Sequence, residues 1–198
     1  MSAEERRQHL MDTASVIALE EGLSTVTIRE VARQAGISET QVHNCFGGRT
    51  ELLLALARRE IATQESQRRK RIARGTTHQT RVMLSTIGYL HEAARRGPLL
   101  QMLLRTPEVR DALKPEWAIQ SDAARAPILE QLVGGGKMDL QSARASTAAL
   151  TAVSLKAGGI VASKRAPFAM VEEICLNVVM AGVFSDDRLA TARAGSES

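Results

Sequence analysis

Along most of the chain apolar residues recur at helical spacing, with glycine and proline as punctuation. Leu10, Ala14, Ile17 and Ala18 mark one face of a first helix over Glu4–Glu21. Gly22 stops it, and Leu23 follows as the hydrophobic partner such a stop usually has. Thr27-Ile-Arg-Glu30 reads as a capping box opening a short second helix. Ala35-Gly36-Ile37 interrupts the pattern, and Ser38-Glu-Thr-Gln41 is a second capping box, opening a third helix that ends near Cys45-Phe46. After Gly47-Gly48, Arg49 or Thr50 begins a long helix to about Ile72, with Leu52, Leu53, Leu56 and Ile61 on its apolar face and the basic run Arg68–Arg71 at its end. Breaks at Gly97-Pro98, Pro107, Pro115, Gly134–Gly136 and Pro167 divide Arg81–Phe184 into five further helices, and the tail Ser185–Ser198 is expected to fray. The predicted fold is all-α with about nine helices: a three-helix helix-turn-helix domain over 1–48, a connecting helix over 49–74 and a helical domain over 75–198.

Composition agrees with this pattern. Apolar residues make up 44% of the 198 residues and charged residues 24%, which argues against disorder, while aromatics are only 3%. The core must come from Leu, Val, Ile, Met and Ala, side chains that suit close helix packing better than sheets. The apolar stretches near Ala148–Ala162 and Ile174–Phe184 are broken by Lys156 and Asn177 and read as too short to span a bilayer comfortably. The charged start of the chain lacks the apolar run of a signal peptide. Cys45 and Cys175 lie far apart and form no C-x-x-C pair, so a reduced, cytoplasmic compartment is expected, with no metal and no cofactor. Net charge is +4, but residues 1–75 carry only 12 basic against 10 acidic side chains. Affinity for DNA must then depend on where charges sit rather than on bulk basicity.

The segment from Ile28 to Phe46 carries the chemistry. Val31, Ala32, Ala35, Ile37, Val42 and Cys45 fall on the inward positions of a helix-turn-helix. Ala32 is small where the two helices cross, and Gly36 supplies the backbone freedom of the turn. Glu39, Thr40, Gln41, His43 and Asn44 are then left on the outer face of the third helix, as polar side chains able to read base edges. Cys45 at an inward position is expected to act as a small core hydrophobe. The run Arg68–Arg71 is expected to be solvated and to help satisfy the last carbonyls of its helix.

The order Leu10-x-x-x-Ala14, Glu21-Gly22-Leu23, Thr25-Val-Thr-Ile-Arg-Glu-Val-Ala-Arg-Gln-Ala-Gly-Ile-Ser38 and Phe46-Gly-Gly-Arg-Thr-Glu-Leu52 closely resembles the N-terminal region of TetR-family transcriptional regulators, over about residues 8–55. The Phe46-Gly-Gly-Arg49 wording is similar to the BetI-type branch. The resemblance implies a homodimer whose C-terminal domain binds a small-molecule effector, usually repressing nearby genes until that molecule binds. By position it implies that Thr27 and Ser38 contact phosphates at helix N-termini, where amides and dipole favour anions. It likewise assigns Arg29, Thr40, Gln41 and Asn44 to base edges or groove, and Arg49 to a phosphate clamp. Two positions depart from the family: His43 stands where Tyr is usual, and Cys45 where an aromatic or His is frequent. Glu39 either accepts from a cytosine amine or simply repels phosphate, so no operator sequence carries over.

The C-terminal half matches only in being helical and of the right length. Its last two helices, about Gln141–Ser163 and Phe168–Phe184, are apolar over too wide a face for a monomer, and Ala148, Ala149, Ala152, Gly158 and Gly159 permit close helix approach. These helices are expected to pair with their symmetry mates, with Ala148, Ala152, Gly159 and Val178 at the interface. The central helices, where the family builds its pocket, offer Met83, Tyr89, Met102, Arg105, Trp117 and Gln120, with His91 beside them. So few aromatics suit a medium-sized, largely apolar ligand better than a caged quaternary ammonium. The four histidines His9, His43, His78 and His91 are scattered, with no acid pair or metal-ligand spacing, so an enzyme is not expected. The alternative to a ligand-released repressor is a ligand-independent or protein-regulated DNA-binding factor of the same fold.

Overall fold

A computed structural model of the chain describes residues 2–116 and 140–184, and among these every regular element is helical. In chain order they are α1 (Ala3–Glu21), a 3₁₀ turn (Leu23–Thr25), α2 (Ile28–Ala35), α3 (Glu39–Phe46), α4 (Arg49–Ile72), α5 (His78–Arg96) and α6 (Leu99–Arg105). They continue with α7 (residues 107–116), α8 (Leu140–Ala162) and α9 (Phe168–Phe184). The expected breaks at Gly134–Gly136 and the tail Ser185–Ser198 lie outside the described residues. Pro115 does not end a helix: α7 runs through it to 116. The position is exposed, so water can satisfy the Asp111 carbonyl that a proline nitrogen cannot serve.

α1 starts at Ala3, one residue before the expected Glu4. Ser2 Oγ accepts from the Glu5 amide at 3.1 Å and the Glu5 carboxylate accepts from the Ser2 amide at 2.7 Å, a capping box outside the apolar periodicity. At the other end Gly22 adopts φ 95° and its N–H reaches the Ala18 carbonyl, which no side-chain-bearing residue does without strain.

The chain divides into two compact units, Met1–Glu65 with Gly97–Trp117, and Ser66–Arg96 with Ala118–Ser198. In the first unit α6 and α7 complete the N-terminal core. Leu10, Ala14, Ile17, Val31, Val42, Leu52, Leu53 and Leu56 are buried there together with Leu99, Leu103, Val109 and Leu113. Arg58 donates to the Glu116 carboxylate, tying α4 to the end of α7 within the same unit.

In the second unit α5, α8 and α9 pack on one another around Leu90, Ala157, Val161, Val171, Cys175 and Val179. Two glycines of that unit make room for a side chain. A Cβ on Gly158 would lie 2.2 Å from the Tyr89 ring, and one on Gly88 would lie 2.3 Å from Arg71 Cδ. Arg71 therefore rests on the backbone of α5, donating to the Gly88 carbonyl at 2.9 Å, with the buried Glu92 carboxylate 3.9 Å away. Arg95 donates to Glu92 as well. By length and composition Arg144–Ala162 is apolar enough to cross a membrane, contrary to the expectation from its shorter apolar stretch. Within the unit, however, it is the helix on which α5 and α9 pack.

Candidate nucleic-acid interface

The corner between α2 and α3 is built from its caps outward. Thr27 Oγ1 accepts from the Glu30 amide at 3.1 Å, but Glu30 does not reach back to Thr27 as a full capping box would require. Its carboxylate is taken instead by Arg33 and by Gln34 Nε2, and these bonds hold its pKa down to about 2. Gly36 sits in the left-handed region at φ 69°, and the amides of Gly36 and Ile37 both reach the Ala32 carbonyl, closing α2 and turning the chain. At α3 the expected box is complete: Ser38 Oγ accepts from the Gln41 amide, and Gln41 Oε1 accepts from the Ser38 amide at 3.1 Å.

With Val42 and Phe46 buried, α3 holds Glu39, Thr40, Gln41, His43 and Asn44 on its exposed side. Ala35, Ile37 and Cys45 are half-buried against the N-terminal core, Cys45 as a packing residue. Thr27, Arg29 and Ser38 are exposed beside this row. The cap gives Gln41 a particular polarity. Its amide oxygen is committed to Ser38, so Nε2 remains as the donor it can offer, suited to an acceptor such as a purine N7 or O6. His43 Nδ1 lies 3.0 Å from the Gly47 carbonyl at the end of its own helix.

Two arginines hold this surface from behind, and sequence reasoning missed both roles. Arg7 of α1 donates to the Cys45 carbonyl and stands over the Phe46 ring at 4.4 Å, fixing the last turn of α3. Arg49 donates through Nε to the Val26 carbonyl at 2.7 Å and through Nη2 to the Leu23 carbonyl at 2.8 Å. These bonds satisfy the loop before α2, so Arg49 has a structural task whatever else it meets. For Arg49 the only sequence signal was a basic residue after the Gly47-Gly48 break, and Arg7, within α1, had none.

Residues 10–56 match the sequence profile described as bacterial regulatory proteins, tetR family. Over that segment the chain is similar to the DNA-binding module of tetR-family regulators. An HTH-type transcriptional regulator BetI of Rhizobium meliloti (strain 1021) is 40% identical over 53 residues, and that match covers 27% of this chain and only 26% of the BetI protein. The likeness of fold extends over 90–95% of the chain. The fatty acid degradation regulator FadR from Bacillus halodurans superposes with a TM-score of 0.67 at 13% identity, covering 90% of this chain and 96% of its own. A putative transcriptional regulator from Pseudomonas aeruginosa PAO1 gives 0.69 at 16% identity, with 95% of each chain covered. A TetR-like regulator from Rhodococcus sp. RHA1 gives 0.67 at 17% identity, covering 90% and 95%.

Outside the tetR-type module the expected site residues scatter. Met83 and Tyr89 lie half-buried on α5 of the second unit, Tyr89 packed over Gly158. Met102 and Arg105 lie on α6, which belongs to the first unit, and Arg105 is exposed. Trp117 and Gln120 lie outside the described residues. His91 joins α5 to α9: its Nε2 is 3.3 Å from Glu172 and its ring 4.7 Å from that of Phe168. On α8 and α9, Ala148, Ala152 and Val178 are exposed, and Gly159 is half-buried with open space where a Cβ would stand. The neighbouring Gly158 faces inward to Tyr89, so the two adjacent glycines serve opposite sides of one helix.

Proposed function

We propose that this chain is a tetR-family, cytoplasmic, non-enzymatic transcriptional regulator that binds a palindromic duplex operator as a homodimer and represses until a small, largely apolar ligand releases it. The observation that carries the reading is the exposed polar row Glu39, Thr40, Gln41, His43 and Asn44 on a helix whose two ends are capped and whose inner face is buried. Such a helix can enter a major groove without giving up its own core. Thr27 and Ser38 would meet phosphates, and Arg29, Thr40, Gln41 and Asn44 the groove.

The dimer reading rests on a different surface. Leu155 is 45% exposed, Met170 49%, Ile174 56% and Val178 47%, on two helices that already pack on each other. With Ala148, Ala152 and Gly159 they form apolar rows at helical spacing, the type of face a two-fold four-helix interface covers. The test is a pair of variants followed by sedimentation and by binding to a selected duplex. Val178→Asp should sediment as a monomer and lose tight binding. Gln41→Glu keeps the oxygen that caps α3 but removes the amide donor, and should remain dimeric while losing preference at one base pair per half-site. A wild-type chain that is monomeric at micromolar concentration would overturn the dimer reading.

A further inference from the structure

We propose that His43 makes duplex binding take up a proton, and this rests on the reading of α3 as the DNA-facing helix. A carbonyl oxygen can only accept, so the 3.0 Å contact between His43 Nδ1 and the Gly47 carbonyl requires the hydrogen on Nδ1. In the neutral ring Nε2 is then a bare lone pair. It is the one remaining polar atom of an exposed side chain on the polar row of α3. A lone pair is repelled by a phosphate oxygen. The imidazolium, with hydrogens on both nitrogens, keeps the Gly47 bond and donates to that oxygen as a charge-assisted pair. A phosphate at this place therefore selects the protonated ring.

The surrounding charges leave that role open. On α3 itself Glu39 lies one turn before His43. From α2, Glu30 and Arg33 are paired with each other, and Arg29 is exposed. From α1, Arg7 is bound to the Cys45 carbonyl and Phe46. From the start of α4, Arg49 is bound to Leu23 and Val26, and Glu51 stands over Gly48. Among the described residues none of these makes an ion pair with the His43 ring.

The sign follows directly. Binding the ring in its doubly protonated form takes up a proton, so the added affinity grows as pH falls and is lost as pH rises. One contact of this kind should tighten binding about 3- to 10-fold per subunit between pH 8 and pH 6.

The probe is a mixed-sequence 30-bp duplex at low salt, since a phosphate contact needs no particular sequence. For the full-length wild type, affinity should rise as pH falls from 8 to 6. For His43→Gln, whose amide donates at every pH, the rise should vanish while binding at pH 8 is kept or improved. His9→Gln, on α1, should leave the wild-type slope unchanged. Duplex binding with no pH slope, or a slope that survives His43→Gln, would overturn the proposal and leave the DNA-binding reading standing. No duplex binding at any pH would remove that reading itself.

Discussion

The two units of this chain solve the burial problem differently. In the N-terminal unit Leu10, Ile17, Val31, Val42, Leu52, Leu53 and Leu56 are closed off completely by α1 to α4 with α6 and α7, and what α3 leaves outside is polar. Among the described residues of the second unit the closed core is smaller, and five large apolar side chains of α8 and α9, Leu140, Leu155, Met170, Ile174 and Val178, stay about half exposed. The first unit offers hydrogen-bonding groups on α3, and among its described large apolar side chains Val16 and Leu19 of α1 are about half exposed. The second has apolar surface left over, and surface of that kind is covered by another protein surface far more often than by water. The contrast teaches that one chain can carry two exposed surfaces of opposite chemistry, each on its own scaffold.

The strongest way to break the comparison is to charge the second unit's exposed rows. Val178→Asp should weaken self-association by about a thousandfold or more, equal to about 4 kcal/mol, because a buried unpaired carboxylate must be desolvated on dimerisation. Sedimentation velocity across a dilution series measures it. A dimer as tight as wild type would mean that α9 faces solvent in the working protein. Next in size is the first unit's core: Leu52→Ala should cost about 2–5 kcal/mol in chemical denaturation, because Leu52 is fully buried.

The paired glycines sharpen the contrast within a single helix. Gly158→Ala pushes a methyl into Tyr89 and should destabilise the fold by about 1–3 kcal/mol, whereas Gly159→Ala meets open space. Any effect of Gly159→Ala should instead appear in self-association. Equal effects of the two on a monomeric Val178→Asp background would contradict the assignment of inner and outer faces.

How much of this was legible beforehand depended on the range of the interaction. The caps at Ser38 and Gly22, the left-handed turn at Gly36 and the outward row of α3 are local, and spacing alone places them. The Arg7, Arg49 and Arg71 contacts join residues 38, 23 and 17 positions or more apart, and an arginine's long, flexible stem gives no hint of which carbonyl it will find. Glu30 shows the same limit at short range: the sequence fits a capping box equally well, but a guanidinium one turn ahead competes better for the carboxylate than a backbone amide. Pro115 was read as a break because proline usually is one, yet an exposed carbonyl behind it makes the exception affordable. The candidate ligand residues had no local rule at all to place them.

The smallest expected effect concerns acid. Glu30 is held to about 2 by Arg33 and Gln34, below its ordinary value of 4.5. Its contribution is thus present above about 4.5 and lost as pH falls toward 2. The pair is solvent-exposed, so the effect on stability should be slight and further reduced by salt. Comparing wild type with Glu30→Gln in denaturation curves between pH 6 and pH 3 should show the two converging as pH falls. Curves that diverge instead would mean the carboxylate is not stabilised in the fold.

The central claim is that α3 reads duplex DNA from two copies of this chain at once. Selection of bound molecules from a pool of random 30-bp duplexes, followed by sequencing, tests it most directly. The account predicts enrichment of an inverted repeat with half-sites about one helical turn apart or slightly more, lost with Val178→Asp and relaxed at one base pair per half-site with Gln41→Glu. A dimeric wild-type protein that enriches no sequence, or one that enriches a site lacking two-fold symmetry, would contradict it.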